Sequence, residues 1–324
     1  MKKIYLILAI AGIMLTTACS SESNEPAAEG NVTFTVNLDD IDSRAISDGT
    51  TVDQLVFAVY DAQGNELTAL RQNDITITGK QATVTTRVVI GQGYSFAFWA
   101  QKSGNTFYNT ANLKDIVVSY TGNANDETRD AFTASWSIDK VEGAINETIT
   151  LRRPFAQVDY VCSIEEWTDL MNSNRKLIGS DLVVEAGAYT HYNALTGEAT
   201  EPTTTPITFA LSDWWYQNYD NINGFCSFVS TRNGNSYDNL CPTTDGDMFW
   251  LSMNYILATP EVTNLGKTTM NIYGVKNYSP IPVPVEVNEL PIQRNHRTVV
   301  HVSNLTTTVT VIIDKDPDMG DDPE

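Results

Sequence analysis

The chain has 324 residues, 42% hydrophobic, 10% aromatic and 19% charged, with 20 Lys+Arg against 40 Asp+Glu and a formal charge of −20. The length suits about two domains, and the apolar fraction excludes a disordered chain. The acidity argues against a nucleic-acid partner, because a phosphate backbone needs a basic face. Three His and four Cys leave little material for a metal enzyme, so the composition points to a secreted binding or structural protein without metal, cofactor or catalysis.

Lys2 and Lys3 precede an apolar run over residues 4–15. That run is shorter than the ~20 residues of a membrane helix and matches the core of a signal peptide. Residues 15–19 (LTTAC) resemble a bacterial lipobox, whose Cys, here Cys19, is lipidated and becomes the first residue of the mature chain. Residues 1–18 are therefore read as a lipoprotein signal peptide; an ordinary signal peptide cut near Ala18 is the alternative. Residues 19–30 are polar, lack periodicity and read as a flexible linker. Their early acidic residues resemble the surface-export signals of lipoproteins in the Bacteroidetes.

From residue 31 the hydrophobic period is two, which predicts strands with one buried face. Val32, Phe34, Val36 and Leu38 alternate with polar residues, and Ala82, Val84, Thr86, Val88 and Ile90 do so less cleanly. Residues 55–60 (LVFAVY) and 94–100 (YSFAFWA) are apolar on both faces, as central strands are. Residues 61–65 (DAQGN) and Thr196-Gly197 carry turn chemistry. Arg44 sits between polar Asp42-Ser43 and turn-like residues 47–49, an accessible loop. Arg152-Arg153-Pro154 interrupts the pattern, which predicts a boundary there: one β-sandwich over 31–152, a second over 153–313 and an acidic tail over 314–324. One short helix is expected in the second unit, where Ser163 caps residues 163–171 with Glu166 three residues on. Ile281, Val283, Val285 and Val287 alternate with Pro280, Pro282 and Pro284, which suits an edge strand.

The search for chemistry returns little. Asn264-Leu265-Gly266-Lys267-Thr268 lacks the first glycine of a phosphate loop. Ser173 and Lys176 have S-x-x-K spacing without its companion motifs, and the tail is not a calcium loop. Cys162 ends an apolar run and reads as a buried thiol. Cys226 and Cys241 flank a Gly/Asn-rich segment and form a disulfide or remain apart. Trp214, Trp215 and Tyr216, beside Asn, Gln and Asp, form either a glycan-stacking platform or a plug at the end of a sandwich. The platform reading makes the chain a cell-surface carbohydrate-binding lipoprotein. His296 and His301 read as surface residues.

Several segments together resemble the fimbrial subunit family of Bacteroidales, the FimA/Mfa-type or type V pilins. They are the lipobox at Cys19, Ser43-Arg44-Ala45-Ile46, residues 52–61 (VDQLVFAVYD), residues 151–158 (LRRPFAQV) and residues 290–298 (LPIQRNHRT). The resemblance implies an all-β fold of two transthyretin-like β-sandwich domains, an outer-membrane lipoprotein precursor and assembly into surface fimbriae with a role in adhesion. It implies cleavage by an Arg-specific protease, here between Arg44 and Ala45, loss of the lipid and first strand, and filling of the groove by a neighbouring subunit's C-terminal strand. The candidate donor residues are Val309, Val311 and Ile313. The implied partners are other fimbrial subunits, the outer membrane through the precursor's lipid, and a host protein or glycan. Stalk, tip and anchor roles all remain open on these residues.

Overall fold

The computed structural model describes residues 27–38, 49–122, 124, 126–163, 165, 176–210, 231–232, 235–236, 248–276, 279–303 and 310–316. The first seven principal strands are β1 (Glu29–Leu38), β2 (Gln54–Asp61), β3 (Gln72–Thr76), β4 (Gln81–Val89), β5 (Tyr94–Gln101), β6 (Ala131–Ile138) and β7 (Ile145–Leu151). They form two sheets, in the orders β4-β1-β7 and β3-β2-β5-β6. β1 runs antiparallel to β4 and parallel to β7. Alternation directs Val32, Phe34, Val36 and Leu38 of β1 and Ala82, Val84 and Val88 of β4 onto Leu55, Phe57, Val59, Phe96 and Phe98 of the facing sheet. The turn after β2 has the expected chemistry: the Asp61 carboxylate accepts from the Gln63 and Asn65 N–H groups, and Gly64 takes φ +79°.

The next seven strands repeat this wiring. They are β8 (Phe155–Ser163), β9 (Lys176–Val184), β10 (Ile207–Ala210), β11 (Met248–Leu257), β12 (Thr268–Lys276), β13 (Ser279–Val287) and β14 (Arg297–Ser303). Their sheets run β11-β8-β14 and β10-β9-β12-β13. β8 is antiparallel to β11 and parallel to β14, as β1 is to β4 and β7. A fifteenth strand, β15 (Thr310–Asp316), without a counterpart in the first half, pairs antiparallel with β14 at the sheet edge. β13 is an edge strand, as its prolines suggest.

β2 and β5 are buried on both faces, the reason they read as central strands. Their second face, Val56, Ala58, Tyr60, Ala97 and Trp99, joins the apolar core of the second half. Backbone pairing crosses the same seam. The short strands Tyr108–Asn109 and Ile116–Val118, between β5 and β6, build a sheet with Tyr189–Asn193 and Glu198–Pro202, between β9 and β10. Tyr120 adds a side-chain tie: its hydroxyl donates to the Tyr189 carbonyl at 2.6 Å and accepts from Leu257 N–H at 3.0 Å.

The boundary residues of the sequence hold a buried ion pair. Arg153, fully buried, donates from Nε and Nη2 to the two oxygens of Asp130, each at 2.6 Å. Its guanidinium lies 4.5 Å from the centre of the Phe132 ring. Burial disfavours the charge, but Asp130 outweighs it and holds the Arg153 pKa above its ordinary value.

Three expectations shift. β1 begins at Glu29, paired with Val89, so the linker gives way to strand before residue 30. β15 continues to Asp316, so ladder pairing extends past 313 into the acidic segment. His296 and His301 are half-buried rather than on the surface. Of the expected helix over 163–171, Ser163 ends β8 and Glu165 is helical; the remaining residues lie outside the described ones. Among the described residues the longer helical pieces are two 3-10 turns, Thr68–Leu70 and Glu127–Arg129.

Candidate functional site: the first strand and its slot

β1 is a strand because apolar and polar residues alternate along it, and its burial follows the same parity. Val32 and Phe34 are fully buried, and Val36 and Leu38 nearly so. Phe34 is the centre of an aromatic nest, with ring centroids of Phe96, Phe98, Trp136 and Phe57 at 5.0, 5.2, 5.5 and 6.1 Å. Burying these four side chains contributes about 6–12 kcal/mol. The backbone of β1 is engaged on both sides, from Glu29 to Asn37 along β4 and from Val32 to Leu38 along β7. Without β1, the two flanking strands would present facing rows of unpaired N–H and C=O groups above an aromatic floor. Such a slot takes an extended segment with apolar side chains at alternate positions.

The equivalent strand of the second half is built differently. β8 is buried on both faces and carries Gln157 and Asp159, both fully buried. Gln157 Nε2 donates to Asp159 at 2.9 and 3.0 Å, and Arg297 Nε on β14 lies 3.2 Å from Asp159 Oδ2. Withdrawing β8 would strand buried charge, which is strongly unfavourable. The core-facing side of β1 carries no charge, so of the two topologically equivalent strands it is the one that can leave at the cost of apolar burial and backbone pairing alone.

β15 holds two of the donor candidates. Val311 and Ile313 pair with Val302 and Val300 of β14, so in this chain the segment completes its own sheet. Val309 lies outside the described residues, as do Cys19, Arg44, Ala45, Trp214, Trp215, Tyr216, Cys226 and Cys241. Cys162 is a buried thiol outside any disulfide. Among the described residues no group of three or more His, Cys, Asp or Glu side chains comes together to hold a metal. The parallel pairing of β1 with β7 joins residues over a hundred positions apart and leaves no local signal in the sequence.

Solved structures share this architecture at low identity. A candidate cell adhesion protein from Bacteroides eggerthii is 11% identical and superposes with a TM-score of 0.50 over 90% of this chain and 97% of its own. The C-terminally truncated tip fimbrial protein Mfa3 from Porphyromonas gingivalis is 11% identical, with a TM-score of 0.47 over 89% and 99%. A fimbrial assembly protein from Parabacteroides distasonis is 11% identical, with a TM-score of 0.42 over 89% and 95%. No curated protein matches the sequence. Residues 23–323 match the model of a family of unknown function, DUF6562, and the chain belongs to that family.

Proposed function

We infer that the chain is a cell-surface fimbrial subunit, or a fimbrium-associated lipoprotein, that works by assembly and adhesion rather than catalysis. The observation that carries this reading is β1, a near-terminal strand seated between β4 and β7 with an uncharged, alternating inner face. The fold shared with the Bacteroides eggerthii protein and the sequence resemblance to Bacteroidales fimbrial subunits support it.

In this reading Cys19 carries lipid and anchors the precursor in the outer membrane. Cleavage between Arg44 and Ala45, in the segment joining β1 to β2, releases residues 19–44 and empties the slot. A neighbour's C-terminal segment, bearing Val309, Val311 and Ile313, fills it by pairing with β4 and β7. β15 is the edge strand of its sheet, paired among the described residues with β14, so its departure breaks a single ladder.

The test is the N-terminus and intact mass of the protein recovered from the cell envelope. A chain starting at Ala45, found in filaments, is the expected result. A mature chain starting at lipid-bearing Cys19 refutes the exchange step and leaves an anchored surface protein. Arg44→Ala should abolish filaments, and normal filaments from that variant would refute the cleavage.

A further inference from the structure

A cleft of about 380 Å³ opens on the seam between the two halves. One wall comes from β6 and the end of β7, with Ser135, Thr150 and Arg152; the other comes from the Tyr189–Asn193 hairpin and the turn before β14, with Tyr192, Gly197 and Arg294. Its position, between two units and fed by several loops, is where small-ligand sites concentrate.

The lining runs against the character of the chain. The protein carries a formal charge of −20, yet Arg152, Arg153 and Arg294 line this cleft and no carboxylate does. Arg153 is committed to Asp130. The Arg294 Nη1 atom donates to the Gly197 carbonyl at 3.0 Å, and a guanidinium has five donors, so that bond fixes its position and leaves others to offer. Gly197 takes φ +75°, and a Cβ there would sit 3.3 Å from Arg294 Nη1; the absent side chain keeps the guanidinium uncovered. The Tyr192 hydroxyl lies beside Arg294 and Thr133, and burial keeps it protonated, a neutral group that both donates and accepts. Ser135 and Thr150 are exposed on the opposite wall.

From this arrangement we propose that the seam cleft binds a carboxylated monosaccharide unit, its carboxylate on Arg294 and its hydroxyls against Tyr192, Ser135 and Thr150. A planar guanidinium fork matches a carboxylate, and the hydroxyl-bearing walls match a polyol better than a bare anion. No lining residue belongs to β1 or to the segment cut at Arg44, so the cleft is tested on the uncleaved chain and separately from the fimbrial reading.

The experiment uses the intact soluble chain and saturation-transfer NMR at low salt, with D-glucuronate as the probe. Glucose, acetate, sulfate and a peptide of sequence DKDPDMGDDPE are the comparison arms. Glucuronate should bind saturably and more tightly than every comparison. Arg294→Gln should weaken it about tenfold or more, and Arg294→Lys should restore little, lacking the fork. Gly197→Asn, the side chain best tolerated at positive φ, covers the guanidinium and should weaken binding while the chain stays folded, with a modestly lowered thermal midpoint. Absence of saturable glucuronate binding overturns the proposal. Equal binding of glucose removes the role of the carboxylate, and equal binding of sulfate or acetate reduces the cleft to a general anion site. Tighter binding of the peptide assigns it to a polypeptide instead, and wild-type affinity in both Arg294→Gln and Gly197→Asn places the sugar elsewhere.

Discussion

Replacing Phe34 by Ala separates a detachable first strand from one that is simply part of a core. Phe34 is fully buried against Phe57, Phe96, Phe98 and Trp136. Truncating a buried Phe to Ala costs about 3–5 kcal/mol. If β1 leaves its slot as a unit, that loss falls on strand release, which becomes roughly a hundred- to several-thousand-fold more frequent. Hydrogen exchange of the uncleaved chain reads this directly. Amides of β1, and those of β4 and β7 that bond to it, should lose protection, while β8, β11 and β14 keep theirs. Trp136, 5.5 Å from Phe34, gives a fluorescence report of the same event. Thr35→Ala, on the outward face of β1, is the control and should change stability by about 0.5 kcal/mol or less. Uniform loss of protection across both halves would show that β1 opens only with the whole molecule. A loss below about 1 kcal/mol would show that Phe34 does not hold the strand. Either result refutes the reasoning that β1 is a separable plug.

Other perturbations test other parts of the structure. Asp130→Ala leaves Arg153 charged in a fully buried site and should cost about 3–5 kcal/mol in urea denaturation. The Asp53 carboxyl is held below the ordinary range; burial works to raise its pKa, but hydrogen bonds from Lys102 and Ser103 outweigh it. Its stabilisation is therefore present above the unfolded-state pKa of about 3.9 and lost as pH falls through the lower folded value. The gap in urea midpoint between wild type and Asp53→Asn should thus be open at neutral pH and close in acid. Replacing Pro280, Pro282 and Pro284 by Thr should promote self-association, seen by light scattering. Pro280, Pro282 and Pro284 share one parity of the edge strand β13; lacking N–H, they fit the open edge and leave Ile281, Val283 and Val285 to donate to β12. Deleting residues 308–324 should leave a folded subunit that accepts a strand but cannot donate one; loss of folding would show that β15 is needed by its own sheet.

Much of the architecture was legible in local pattern. The two-residue period of β1 and β4, the doubly apolar runs of β2 and β5, and the Asp61–Asn65 turn follow from side-chain alternation and turn chemistry, which are properties of short segments. The prolines of β13 announced an edge because a missing N–H acts wherever the strand lies. Arg152-Arg153-Pro154 was visible as a break, yet its meaning was not, since a buried guanidinium is tolerable only beside a carboxylate that the fold supplies, here Asp130 from 23 residues upstream.

The sequence by itself determined that this is an all-β protein with short amphipathic strands, an edge sealed by prolines and a first strand with an uncharged inner face. Only the tertiary structure decided that β1 lies between β4 and β7, that β8–β14 repeat the wiring of β1–β7, and that arginines from both halves gather around one cleft. The physical reason is range. Alternation and turn propensity are set by neighbours a few residues away, whereas parallel pairing, shared cores and convergent side chains depend on long-range closure that no local segment encodes.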